Sequence, residues 1–61
     1  MTDQEMKQWL WDSIVQDEHK KSEAFWLMKA DSAKGNQRSI FITRAFFHRR
    51  AWVAIHNRKN Q

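Results

Sequence analysis

A chain of 61 residues without cysteine has room for one domain, residues 1 to 61, and a chain that short removes only about 60% of its unfolded surface from water. Disulfides and thiolate metal sites are excluded, so association with another copy or with a partner is the expected source of extra stability. The net charge of +4 is divided along the chain: residues 1 to 31 hold seven acids against four lysines, 4 − 7 = −3, and residues 32 to 61 hold seven lysines and arginines with no acid, +7.

The opening "MTDQEMKQWLWD" is polar and acidic where a secretory signal carries a basic end followed by an apolar run. The longest apolar run, "AFWLM", falls far short of the ~20 residues needed to span a bilayer. A soluble, cytoplasmic protein without membrane contact is expected.

"TDQE" has the form of a capping box, in which Thr2 accepts from the backbone amide of Glu5 and the Glu5 carboxylate reaches back, so a helix is predicted to begin at about Asp3. At about 100° per residue, Met6, Trp9, Leu10, Ile14, Ala24, Phe25, Leu27 and Met28 share one sector of the helical wheel. That phase survives the polar stretch "QDEHKKSE", which predicts one continuous helix over about 3–33. Asp17 and Lys21, four apart on the same stripe, are placed to neutralise each other. The alternative is a break near 18–22, with Ser22 capping a second of three helices.

"KGNQ" contains the only glycine, and proline is absent, so a turn is predicted at 34–38. Gly35 suits the left-handed position that closes a helix, and Asn36 or Ser39 suits the cap of the next. The remainder, "SIFITRAFFHRRAWVAIHN", has strand-favouring residues but no internal turn signal, and its length is that of a helix, predicted over about 39–57. Its apolar residues form two faces: Phe41, Ile42, Ala45, Phe46, Trp52 and Val53 on one, Ile40, Phe47, Ala51, Ala54 and Ile55 on the other. A helix apolar on two sides is usually buried on two sides.

The expected architecture is therefore an all-α helical hairpin. At 1.5 Å per residue the helices would be about 46 Å and about 28 Å long. The second would cover residues near 16 to 33 and leave the end carrying Trp9, Leu10, Trp11, Ile14 and Val15 bare. A second copy burying that end predicts a homodimer resembling a four-helix bundle, with Trp9, Leu10, Ile14, Phe47 and Ile55 as the self-association residues.

Catalytic residues are not expected. Ser13, Asp17 and His19 project from different sides of one helix, and no glycine loop that could cradle phosphate is present. His48 and His56, eight apart and about 80° from each other on a helix, have no carboxylate on their own helix to complete a site. His19 is distant in sequence, with acids nearby that tune its charge. All three histidines are read as surface or boundary residues, and neither metal nor cofactor is expected.

Trp11 and Trp26 lie off the main stripe and are candidates for contact with a protein partner, together with Arg44, Arg49, Arg50 and Arg58, because tryptophan and arginine dominate binding energy at interfaces. The same arginines, extended by Lys59, Arg38 and Lys34, make DNA the alternative partner. Their distribution argues against that reading: Arg49 falls within the first apolar sector and Arg44 and Arg58 within the second, so they are placed to snorkel from or bridge across an interface.

By its size, its "MTDQEMKQWLWD" opening and its cysteine-free, tryptophan-rich helical make-up, the chain resembles the small early proteins of lambdoid temperate phages, more narrowly those encoded between the exonuclease and excisionase genes. The resemblance implies a non-enzymatic helical protein made early in infection in the bacterial cytoplasm. It further implies a regulatory or accessory part in the choice between lysis and lysogeny or in altering host replication, through a host or phage protein. That group supplies no site motif, so no functional residue is carried over from it.

Overall fold

Two helices account for nearly all of the chain in the computed structural model, which describes residues 2–60: α1, Asp3–Ser32, and α2, Asn36–Lys59. Methionine 1 and Gln61, the ends of the predicted 1–61 domain, lie outside the described residues. α1 starts where the capping box places it, with the Glu5 amide donating to Thr2 Oγ1 at 3.1 Å. It runs without interruption through 18–22, so the three-helix alternative does not hold.

The turn is tighter than predicted. Ala33 closes α1, its amide donating to the Ala30 carbonyl, and Gly35 is the residue that precedes α2, at φ 65° and ψ −137°. The positive φ expected of Gly35 is present, but it opens the second helix where the sequence reading had it closing the first. Neither Asn36 nor Ser39 caps α2: Asn36 is already helical and no side chain caps the end. Because the glycine reverses the chain in so few residues, α2 starts three residues earlier than predicted and extends two residues further, to Lys59.

The longer α2 changes what it covers. Arg58 reaches Asp12, and Lys59 reaches Ser13 and the ring of Trp9, so the second helix extends well beyond the predicted limit near residue 16. The pairs Trp26 with Phe41, His19 with His48 and Asp12 with Arg58 run in opposite directions along the two helices, which defines an antiparallel hairpin measuring 50 × 16 × 11 Å.

The faces that meet follow a heptad seam. On α1 the buried or half-buried residues Asp12, Gln16, His19, Glu23, Trp26 and Ala30 recur at intervals of four and three; on α2, Phe41, Ala45, His48, Trp52, Ile55 and Lys59 do the same. This is coiled-coil spacing, but on α1 its first four positions are polar. Leu10, Ile14 and Met28, from the apolar stripe, lie on the opposite side of α1, and Met28 is 73% exposed. The expected intrahelical pair of Asp17 with Lys21 is replaced by Lys21 with Glu18 at 4.0 Å, both largely exposed, a contact worth little.

Only Ala30 and Ala45 are buried apolar residues among those described. The surface of 5135 Å² compares with about 4,200 Å² for a folded monomer of this mass, and the radius of gyration of 14.5 Å with about 10.5 Å. The hairpin is a thin two-helix layer whose apolar side chains lie mostly outside it.

Among the described residues Gly35 is the one position where the backbone itself demands a residue type. A Cβ there meets nothing within 4 Å, so Gly35→Ala is a pure backbone test. It is expected to cost about 1 to 3 kcal/mol, read as a lower urea midpoint with an unchanged m-value.

Candidate interaction surfaces

The side chains that hold the seam consume much of the polar and basic character that the sequence displays. Asp12, 7% exposed, accepts at Oδ1 from Gln8 Nε2 at 3.0 Å and from Arg58 Nη2 at 2.8 Å. Gln16 Nε2 lies 3.4 Å from His56 Nδ1. His19 Nδ1 lies 2.9 Å from His48 Nδ1. The Trp52 indole donates to Glu23 Oε1 at 2.6 Å. Among the described residues no buried side-chain nitrogen or oxygen lacks a hydrogen-bond partner, which is what makes a polar seam tolerable.

The acids of α1 leave most of the arginines of α2 without an ion pair inside the hairpin. Among the described residues one ion pair, Asp12 with Arg58, crosses between the helices. Cations rest on tryptophan rings instead: Lys59 over Trp9 at 4.0 Å, Arg44 over Trp26 at 4.9 Å and Lys20 over Trp52 at 4.9 Å. Each contact joins one helix to the other, and at exposed sites each contributes about 0.5–1 kcal/mol. Lys29 sits over Phe25, Trp26 and Phe41 and closes the aromatic cluster next to the turn. Three of the four tryptophans are thus joints of the hairpin.

The candidate partner residues divide accordingly. Trp26 is half-buried against Phe41, with ring centroids 5.5 Å apart, and is not the exposed contact that its place off the apolar stripe had suggested. Arg44 and Arg58 are tied to Trp26 and Asp12. Trp11, 61% exposed, carries no cation from another described residue, and Arg49 and Arg50 are exposed and form no hydrogen bond or ion pair with another described residue. Of the self-association residues, Trp9, Leu10, Ile14 and Phe47 are exposed, while Ile55 lies half-buried in the seam.

Two surfaces remain open. One is the outer side of α1, with Met6, Leu10, Ile14 and Met28. The other is the outer side of α2, where an open groove is lined by Phe46, Arg49, Arg50 and Val53, and a second by Thr43, Phe46, Phe47 and Arg50. This second surface is the exposed half of "TRAFFHRRAW": its Phe46 and Phe47 face solvent beside two arginines, while its Ala45, His48 and Trp52 face α1.

The seam positions of Asp12, Gln16 and Glu23, and the pairing of His48 with His19, are not indicated by the apolar pattern of the sequence. The available signal was the alternation of four and three among polar positions, which apolar pattern matching passes over. Among the described residues no three His, Cys, Asp or Glu side chains converge as a metal cage, and no helix is long and apolar enough to cross a membrane. No family model, curated protein or solved structure matches the chain.

The two ion pairs separate by burial. Arg58→Ala leaves the buried Asp12 with Gln8 as its remaining partner and is expected to cost about 1 kcal/mol, discounted for the exposure of Arg58. Lys21→Ala is expected to cost less than about 0.5 kcal/mol. Chemical denaturation of the two variants under one buffer condition gives the comparison, and equal losses would contradict the ranking.

Proposed function

We propose that this protein is a non-enzymatic interaction module: a helical hairpin that closes its apolar outer faces against a second copy and binds a protein through the arginine and aromatic surface of α2. The observation that carries the reading is the inversion of burial. Leu10, Ile14, Met28, Phe46 and Phe47 are each at least half exposed, while the interhelical seam is filled with hydrogen-bonded polar groups. The surface in excess of a compact monomer, 5135 Å² against about 4,200 Å², is about what one partner contributes to a standard interface.

Charge supports a second copy as the first occupant. α1 carries four lysines and seven acids, −3, and α2 carries five arginines and one lysine with no acid, +6. With one ion pair linking them inside the hairpin, most of this complementarity is left for contacts between molecules. In a twofold dimer, the side of α2 carrying Ile40 and Ala54 on α1 of the other copy brings opposite charges together twice and leaves the groove at Phe46, Arg49, Arg50 and Val53 to a partner protein. In the phage setting implied by the sequence resemblance, such a module serves as an early accessory or regulatory factor, with a host or phage protein of acidic surface as its target.

The groove at Phe46, Arg49, Arg50 and Val53 also supports a second reading, DNA binding, because Arg38, Arg49 and Arg50 are exposed and without a described polar partner. That reading requires strongly salt-dependent affinity for nonspecific duplex. Absence of binding at about 50 mM salt removes it.

Sedimentation equilibrium tests the dimer. The unaltered chain is expected to fit a dimer at micromolar concentration, and a double Leu10→Glu, Ile14→Glu variant to shift at least about tenfold toward monomer, equivalent to about 1.4 kcal/mol, with its helical circular dichroism retained. A fully helical monomer at high micromolar concentration in the unaltered chain overturns the proposal.

A further inference from the structure

Midway along the seam, two imidazoles from opposite helices present the same atom to each other. His19 Nδ1 and His48 Nδ1 are 2.9 Å apart, with ring centroids at 5.2 Å and planes tilted by 37°, and both residues are half-buried. As a plain hydrogen bond the contact holds one proton, with one ring donating and the other accepting. An electrophile that takes both lone pairs satisfies the same two atoms without any proton between them.

We infer that His19 and His48 form an interhelical binding site for a divalent transition-metal ion of the nickel or copper class. Imidazole nitrogens lie about 2.0–2.1 Å from such an ion. Two of them at right angles around it are then separated by about 2.9 Å, whereas a tetrahedral angle separates them by about 3.4 Å. The separation in the hairpin is that of adjacent corners of a tetragonal or octahedral sphere, the arrangement that nitrogen and oxygen ligands give copper and nickel. Seating the ion requires each ring to turn so that its lone pair points to one side of the line between the two nitrogens.

The surroundings set the character of the site. Glu23, one turn along α1 from His19, supplies negative charge on the same seam and is held by the Trp52 indole at 2.6 Å. Lys20 and Arg49 follow the two histidines in sequence and oppose a cation. Lys20 is drawn aside over the Trp52 ring at 4.9 Å. Phe47 packs edge-on against His48 at 5.5 Å and shields one side of it. Two protein ligands leave the remaining positions to water. Because one ligand comes from each helix, only the closed hairpin offers both, so the ion stabilises the fold by an amount that grows with the logarithm of its concentration above Kd.

Thermal unfolding followed by circular dichroism, on tag-free protein stripped with EDTA and then titrated with nickel chloride, tests the site. The midpoint is expected to rise by about 5 °C or more at saturating nickel, to return with EDTA, and to rise equally in His56→Gln. It should not move in His19→Gln or in His48→Gln. As a measurement that does not depend on those variants folding, substoichiometric nickel added to the unaltered chain is expected to broaden the His19 and His48 ring proton resonances before those of His56. No rise, an undiminished rise in a variant that folds, or broadening centred on His56 overturns the assignment and leaves the pair as a hydrogen bond that fixes helix register.

Discussion

The hairpin depends on a seam in which Asp12, Gln16, His19 and Glu23 occupy positions that a coiled coil ordinarily fills with leucine or isoleucine. Polar groups withdrawn from water are costly unless paired, and here each has found a partner on the neighbouring helix: Arg58, His56, His48 and Trp52. Such pairs contribute modestly when made and penalise heavily when broken. Slipping one helix by a residue separates all four at once. The seam therefore specifies alignment more strongly than it supplies stability, the role best attested for buried polar groups in coiled coils.

Filling the seam with polar residues has a direct consequence for the outside. The large apolar side chains that would normally drive helix pairing have no place between α1 and α2, and they are left on the outer faces. This is why a hairpin with two buried alanines as its whole described apolar core exposes Met28, Phe47 and Trp11. Tryptophan partly compensates. Trp9, Trp26 and Trp52 flank or occupy the seam and each receives a cation from the opposite helix, a contact that joins the helices without requiring either group to be fully dehydrated.

The start of α1 and the place of the turn were legible in the sequence because local chemistry determines them, whereas the bounds of α2 were not. Thr2 and Glu5 cap α1 through a bond three residues long, and Gly35 alone can take its backbone angles, so the hairpin follows from those two features and the unbroken phase between them. The facing surfaces were not legible. Apolar periodicity identifies the stripe through Leu10, Ile14 and Met28 correctly as one face of a helix, but it carries no information on whether the covering surface belongs to the same chain. Trp26 was misread for the same reason, and the pairing of His19 with His48 was not legible: each contact is defined by the opposite residue, Phe41 or His48, and nothing in the local neighbourhood announces that partner.

A two-helix layer held by hydrogen bonds and cation–π contacts has little hydrophobic driving force of its own, and the conformational entropy of ordering its residues opposes folding at about 1–2 kcal/mol for each backbone unit. A second copy or partner on the outer faces, as proposed, would supply the burial that the seam does not. Folding and association are then linked equilibria: a ligand of the folded hairpin, whether a second copy on α1, a protein on the α2 groove or an ion between His19 and His48, adds its binding free energy to the stability of the same structure. The "FFHRR" stretch shows how the two demands are divided within five residues. His48 faces α1 and fixes the alignment, while Phe46, Phe47, Arg49 and Arg50 face outward, so a substitution at the first acts on the hairpin and substitutions at the others act on the surface proposed for a partner.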